Sequence, residues 1–379
     1  MTFATLALIV AIGLVGPAAA VVPRLRLPIV LGELAAGVAF GTTGFHVLHS
    51  GDTTFSFLGS VGFALVMFEA GSHVPVRDAG LRSALGVGAA RAAGVGVVAT
   101  GLALLLAHAF GGGPVGLYAV LMASSSAALV LPIAQSVGAL ADPTMLPLLA
   151  QVAIADTAGI VAVPLVIDPA HALRAAAGSV AVAALALALF AGLRVAERKG
   201  WRHRLHRISQ KRRFALELRI DLVLLFALAA LASSTHSSVM LAGFAFGLVV
   251  AGVGEPRRVA RQLFALSDGL FGPLFFVWLG ASLDFTDVGA HPRYLLLGLL
   301  LGAGAVLAHL VAAPTGLGLG RALLGSAQLG VPVAAATLAT QLRLLPAGEG
   351  PAMIVGALVT MVATTLGARW LRRPADAGS

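Results

Sequence analysis

The sequence predicts an all-α polytopic membrane protein of about 13 transmembrane helices, built as two inverted six-helix repeats. Three observations carry that prediction. Hydrophobic residues make up 59% of the 379-residue chain and charged residues only 11%, with a mean hydropathy of +0.97. A soluble domain carries roughly 25% charged residues, so most of this surface cannot face water. Apolar runs near the ~20 residues needed to cross a bilayer recur along nearly the whole chain. Finally, two glycine patterns in the first half return in the second at a shared offset.

The spans are read from apolar runs bounded by Gly, Pro and charge, at 3–22, 28–43, 54–75, 84–109, 114–138, 143–167, 175–194, 215–233, 237–253, 263–285, 292–314, 320–342 and 350–370. None alternates with period two, which excludes a β-barrel. The 46 Gly and 18 Pro fit membrane helices, where neighbours re-satisfy freed backbone groups and small residues allow close approach. Cysteine is absent, so thiolate metal sites and disulfides are excluded. The first run lacks a basic leader and reads as a retained span.

The net charge of +9 is concentrated in loops. Arg24 and Arg26, Arg77 and Arg82, Arg194 to Arg213, Arg257 to Arg261, Arg321, and Arg369 to Arg373 all follow odd-numbered spans. The positive-inside rule then puts the N-terminus outside and the C-terminus in the cytoplasm, in a bacterial inner membrane. The Arg194–Arg213 run is a cytoplasmic loop; contact with lipid headgroups is its alternative reading. No nucleic-acid-binding domain accompanies it, so membrane lipid is the expected partner.

The repeat is read from Gly71-x6-Asp78-x-Gly80 and Gly280-x6-Asp287-x-Gly289, about 209 residues apart, and from Gly32-Glu33-x3-Gly37 against Ala242-Gly243-x3-Gly247. This divides the chain into a first repeat (1–170), a connecting helix with the basic loop (171–213), a second repeat (214–373) and a short tail (374–379). Inverted repeats with interrupted helices are a mark of secondary transporters.

Ionisable residues inside a bilayer are costly and are functional candidates by default. Asp156, midway through the sixth span in QVAIADTAGIVAV, is the foremost. A titratable carboxylate with no basic neighbour in sequence suits exchange of a proton for a cation; packing is the alternative. Thr157 is its neighbour. Ser124, Ser125 and Ser126 precede Pro132 in the fifth span, and Gln328-Leu329-Gly330-Val331-Pro332 stands at the matching place in the twelfth. Hydroxyls and prolines manage unpaired backbone in a broken helix, and crossed half-helices present dipole ends that bind ions. His309 in the eleventh span is titratable near pH 6.5, although a packing role is also open. Glu33, at a helix start, is read as structural; Glu69 and Asp268 also lie in spans.

Four segments resemble, in order, the monovalent cation:proton antiporters of the Kef-like branch, the sodium/hydrogen exchanger membrane domain. LGELAAGVAFGTTG is similar to their second helix, MASSSAALVLPI to the broken helix, IADTAGI to the aspartate helix and PLFFVWLGASLDF to the tenth. The resemblance implies a sodium/proton antiporter-like fold, with spans 4–6 and 11–13 as a core and a panel forming a homodimer. It implies elevator motion in which Asp156 alternately binds H⁺ and Na⁺ or K⁺, with Thr157, the three serines and His309 nearby and no cofactor. His309 falls near a lysine position of the family. Ala155 replaces a polar residue before the aspartate, and Val331 ends a replaced Arg-Gly-Glu. A single carboxylate favours electroneutral exchange. The family's cytoplasmic nucleotide-binding domain is missing, which leaves room for a separately encoded regulatory subunit. An organic-solute transporter or a transport-deficient sensor on the same fold are the alternatives. An enzyme is not expected, because no metal-ligand cluster or nucleophile–base pair is present in the sequence.

Overall fold

The computed structural model describes residues 2–21, 29–74, 76–77, 79–200, 215–235, 237–254, 257–286, 291–342, 344–346 and 348–371, and contains helices and no strand among them. Arg24, Arg26, Asp78, Asp287, Gly289, the basic loop from residue 201 to 213 and the tail lie outside the described residues, as does the side chain of Pro132.

The helices are α1 Phe3–Gly13, α2 Val15–Val21, α3 Ile29–Phe40, α4 Thr53–Ser72, α5 Ala79–Ala109, α6 Val115–Ala123, α7 Ala127–Ser136, α8 Met145–Ile167 and α9 Ala172–Arg198. They continue as α10 Leu216–Ser234, α11 Val239–Val253, α12 Arg257–Leu266, α13 Gly272–Ser282, α14 Pro292–Leu310, α15 Leu319–Gly325, α16 Gly330–Leu342 and α17 Glu349–Leu371. Several start on side-chain caps that occupy orphan N–H groups. Asp52 accepts from Phe55 N at 2.9 Å before α4, and Ser238 accepts from Met240 N at 3.1 Å before α11.

Among the described residues nine helical stretches are long and apolar enough to cross a membrane, and 29–40, 115–131 and 239–253 are apolar but shorter. The chain is a multi-pass membrane protein. Within Leu216–Ser234 the charged residues Glu217, Arg219 and Asp221 interrupt the apolar character.

The fold divides into two compact units: Met1–His73 with Arg174–Thr286, and Val74–Leu173 with Asp287–Ser379. Each unit draws helices from both halves of the sequence.

Unit 1 is sealed by glycines against backbone. A Cβ at Gly71 in α4 would lie 2.2 Å from the Phe244 carbonyl oxygen of α11, and one at Gly247 would lie 2.2 Å from that of Phe68. The α3–α13 contact repeats the pattern. A Cβ at Gly280 would lie 2.2 Å from Leu34 O, and one at Gly37 would lie 2.4 Å from Val277 O. Corresponding residues in the two contacts stand 209 or 210 positions apart. Around this seam pack Phe63 and Phe275, with ring centroids 4.8 Å apart, and Trp278 Nε1 donates to Ser50 O at 3.1 Å. The tenth span also contains a π-helical turn, Ser267–Phe271, for which the sequence carries no signal.

In unit 2, α5 packs on α6 and α8, α14 packs on α17, and α15 and α16 lie against α17. Two of its spans are interrupted. The chain is extended at Ser124 and Ser126, between α6 and α7, and it leaves helical form again between Gly325 and Gly330. Both breaks fall where the Ser-rich and Gln-Leu-Gly-Val-Pro stretches predict them.

Candidate functional site

Asp156 stands at the middle of α8 and is only 3% exposed. Its Oδ2 accepts the backbone N–H of Ala127 at 2.9 Å. Ala127 is the first residue of α7, and the Ser126 side chain before it makes no capping bond. The first orphan donor of that half-helix is therefore met from a neighbouring helix, and its positive dipole end is directed at a carboxylate. Oδ1 has no hydrogen-bond partner, and no charged side chain acts on the carboxylate, among the described residues. Nor do the described residues hold three His, Asp or Glu side chains grouped as a metal cage.

The serines of the first break divide their roles. Ser124 Oγ donates to Leu121 O at 3.0 Å, closing the last turn of α6. Ser125 Oγ reaches the second broken helix, donating to Gly325 O at 2.7 Å, and lies 3.1 Å from His309 Nε2. Ser126 is buried beside Asp156's partner Ala127. His309 Nδ1 is 2.8 Å from Ala305 O; a carbonyl only accepts, so this nitrogen carries the hydrogen. His309 therefore contacts the break through Ser125, and it makes no hydrogen bond to Asp156. Thr157 Oγ1 donates to Ala153 O of its own helix at 2.7 Å.

The second break answers the first. Gln328, 3% exposed, donates Nε2 hydrogens to Leu121 O at 2.6 Å and Ser124 O at 2.9 Å. Its backbone N–H goes to Thr360 Oγ1 of α17 at 3.3 Å, much as Ala127 N–H goes to Asp156. Thr360 in turn donates to Ala357 O at 2.7 Å. Gln328 and Thr360 were legible only as a polar break residue and an ordinary membrane-helix threonine. Their pairing depends on which helices meet.

Ala155 and Val331 are both buried. A Cβ at Gly159, one turn beyond Asp156, would lie 2.7 Å from Val331 Cγ2 and 3.3 Å from Ser124 Cβ. The valine thus fills, with methyl groups, the space beside the aspartate helix. Glu33, Glu69 and Asp268 belong to unit 1, and Glu33 is buried there.

At the edge of unit 2, Asp142 Oδ1 accepts from Thr144 N at 2.9 Å and from Thr144 Oγ1 at 2.7 Å. Its other oxygen pairs with Arg321 of α15. These bonds, those from Thr144 foremost, hold its carboxyl down at about 2.

The sequence profile described as "Sodium/hydrogen exchanger, transmembrane" matches residues 7–373. The chain belongs to the sodium/hydrogen exchanger family. Among solved structures, this exchanger is similar to the sodium proton antiporter MjNhaP1 from Methanocaldococcus jannaschii, solved at pH 8. The TM-score is 0.66 at 18% identity, over 97% of this chain and 96% of that one. At that identity the likeness is one of fold. A search of curated proteins finds no match. The family match is at the level of sodium/hydrogen exchangers and does not separate the Kef-like branch. The exchanger family comprises transporters, which places this chain among ion-transport proteins rather than enzymes.

Proposed function

We propose that this exchanger moves Na⁺ or K⁺ against protons, one for one and without net charge transfer, with Asp156 binding cation and proton in turn. The observation that carries the reading is a buried carboxylate whose Oδ2 is held by the Ala127 N–H at 2.9 Å and which has no charged partner among the described residues. One carboxylate that trades one H⁺ for one M⁺ conserves charge at every step. Membership of the sodium/hydrogen exchanger family supports the same chemistry. Ser124, Ser125, Ser126, Thr157 and His309 are the candidate ligands beside Asp156, and Ser126 is buried next to Ala127. No cofactor is needed.

The architecture we infer is a pair of inverted repeats, 1–170 and 214–373, joined by 171–213, with an elevator motion of the aspartate-bearing unit. The common offset of 209 or 210 residues between the α4–α11 and α3–α13 glycine contacts supports the repeats. The remaining proposals are a homodimer in lipid, in a bacterial inner membrane with the N-terminus outside and the C-terminus inside. Regulation by a separate subunit completes the reading.

The test is exchange in proteoliposomes, read with a pH dye on addition of Na⁺, K⁺ or Li⁺. Asp156→Asn should abolish cation-driven proton movement while the purified protein elutes and melts as the wild type does. Full exchange in the variant overturns the role of Asp156. Apolar Ala155 and Val331 favour a second reading, a transport-deficient sensor, whose signature is cation binding by the wild type without any proton flux.

A further inference from the structure

The two breaks of unit 2 are tied to each other by a reciprocal pair of neutral donors. From the first break, Ser125 Oγ donates to Gly325 O, the last carbonyl of α15. From the second, Gln328 Nε2 donates to Leu121 O at 2.6 Å and Ser124 O at 2.9 Å, at the end of α6. Carbonyls only accept, so the orientation of the Gln328 amide is settled by its partners, and its two hydrogens are both used. The end of a helix leaves carbonyls without intrahelical partners and carries partial negative charge. Here that charge is met by an amide from the opposite break. Leaving such carbonyls buried and unpaired is unfavourable.

What Gln328 holds matters for the site. Ser124 is its acceptor, and two residues of extended chain later comes Ala127, whose N–H binds Asp156. Gln328 is itself fixed through its backbone N–H to Thr360. A continuous set of bonds therefore runs from α17 through Gln328 and the Ser124 carbonyl to the extended segment that presents α7 to the carboxylate.

We infer that Gln328 is a positioning residue for ion exchange: by capping the end of α6 from the other broken helix, it fixes the extended Ser124–Ala127 segment against Asp156. This rests on the reading of Asp156 as the ion carrier. It adds a residue that touches neither ion nor carboxylate.

The test uses the full chain. Gln328→Met keeps the length and bulk of the side chain and removes both donors. Gln328→Glu keeps the shape and, when ionised, sets an acceptor against two carbonyls. Each should raise the cation concentration for half-maximal exchange at least tenfold in proteoliposomes. Each should also speed hydrogen–deuterium exchange at the Ala127 to Val130 amides by tenfold or more, while the amides of α9 are unchanged. A simple packing role predicts that Gln328→Met behaves as wild type in both readouts, and that result overturns the inference. If Gln328→Met does not fold, Gln328→Glu carries the same two readouts, and wild-type values there overturn it equally. Absence of cation-driven proton movement in the wild type overturns the exchange reading instead; the amide-exchange comparison still decides the role of Gln328.

Discussion

Unit 1 and unit 2 both pack helices through glycines, and unit 2 adds a second device. In unit 1, α4 meets α11 and α3 meets α13 through glycines that leave no room for a methyl group, so backbone lies on backbone. Unit 2 has such contacts as well, since a Cβ at Gly302 in α14 would lie 2.6 Å from Gly356 O of α17, but it also holds two broken helices whose buried end carbonyls are occupied by side-chain donors from Ser125 and Gln328. In a bilayer, helices gain little from burying apolar surface against one another, so association rests on close packing and on hydrogen bonds. The first device gives a seam that tolerates no insertion. The second leaves backbone free of the helix ladder, which is acceptable at membrane depth only where protein or a cavity surrounds it. Close glycine packing is common to both units, and the candidate site stands where unit 2 departs from it.

The seam is the easier of the two to break. Gly280→Leu sets a Cβ 2.2 Å from Leu34 O and 2.9 Å from Val38 N, neither of which can move without shifting α3. The expected loss is about 3 kcal/mol or more, the upper end of overpacking costs. It should appear as loss of the monodisperse peak and a large fall in melting temperature. A wild-type melting curve would contradict the reading of the seam.

Gly159→Ala tests the packing beside Asp156 more gently. The new methyl meets Val331 Cγ2 at 2.7 Å, a side-chain atom with some freedom, so the cost should be about 1 kcal/mol. Val331→Ala in the same chain should recover most of it, giving a clear coupling in a double-mutant cycle. Simple additivity of the two changes would show that the contact is not what separates the helices.

Smallest is the effect of Asp142→Asn, which removes the charge paired with Arg321 and leaves an amide oxygen to accept from Thr144. Both side chains are partly exposed, at 22% and 33%, so solvent screening keeps the loss within ~1 kcal/mol at neutral pH. Its sign with pH follows from the lowered carboxyl, from 3.8 to about 2. The contribution is fully present above 3.8 and fades as pH falls towards 2, where wild type and variant converge. A stability gap that widens on acidification would contradict this assignment.

Much of this was legible in the linear chain, because a bilayer imposes a simple rule on apolar runs. The aspartate helix, both breaks and the glycine spacings could be read directly. Helix ends were less exact: α5 begins at Ala79 and α9 runs to Arg198, beyond the apolar runs, since helices continue past the hydrocarbon wherever caps and charge permit. The π turn at Ser267–Phe271 and the donor role of Gln328 were not legible. A π turn is one extra residue in an otherwise ordinary apolar helix. A glutamine's partners depend on a crossing between segments some two hundred residues apart. His309 illustrates the same limit. Its place in the chain suggested a helper for Asp156, whereas its Nδ1–H goes to Ala305 O and its Nε2 lies 3.1 Å from Ser125 Oγ.

The role of Asp156 is tested most directly by proton release on cation binding to the purified exchanger in detergent, in weakly buffered solution with a pH dye. Na⁺ or K⁺ should displace close to one proton per chain from the wild type, and none from Asp156→Asn. Cation binding without proton release, or equal release from the variant, would contradict it.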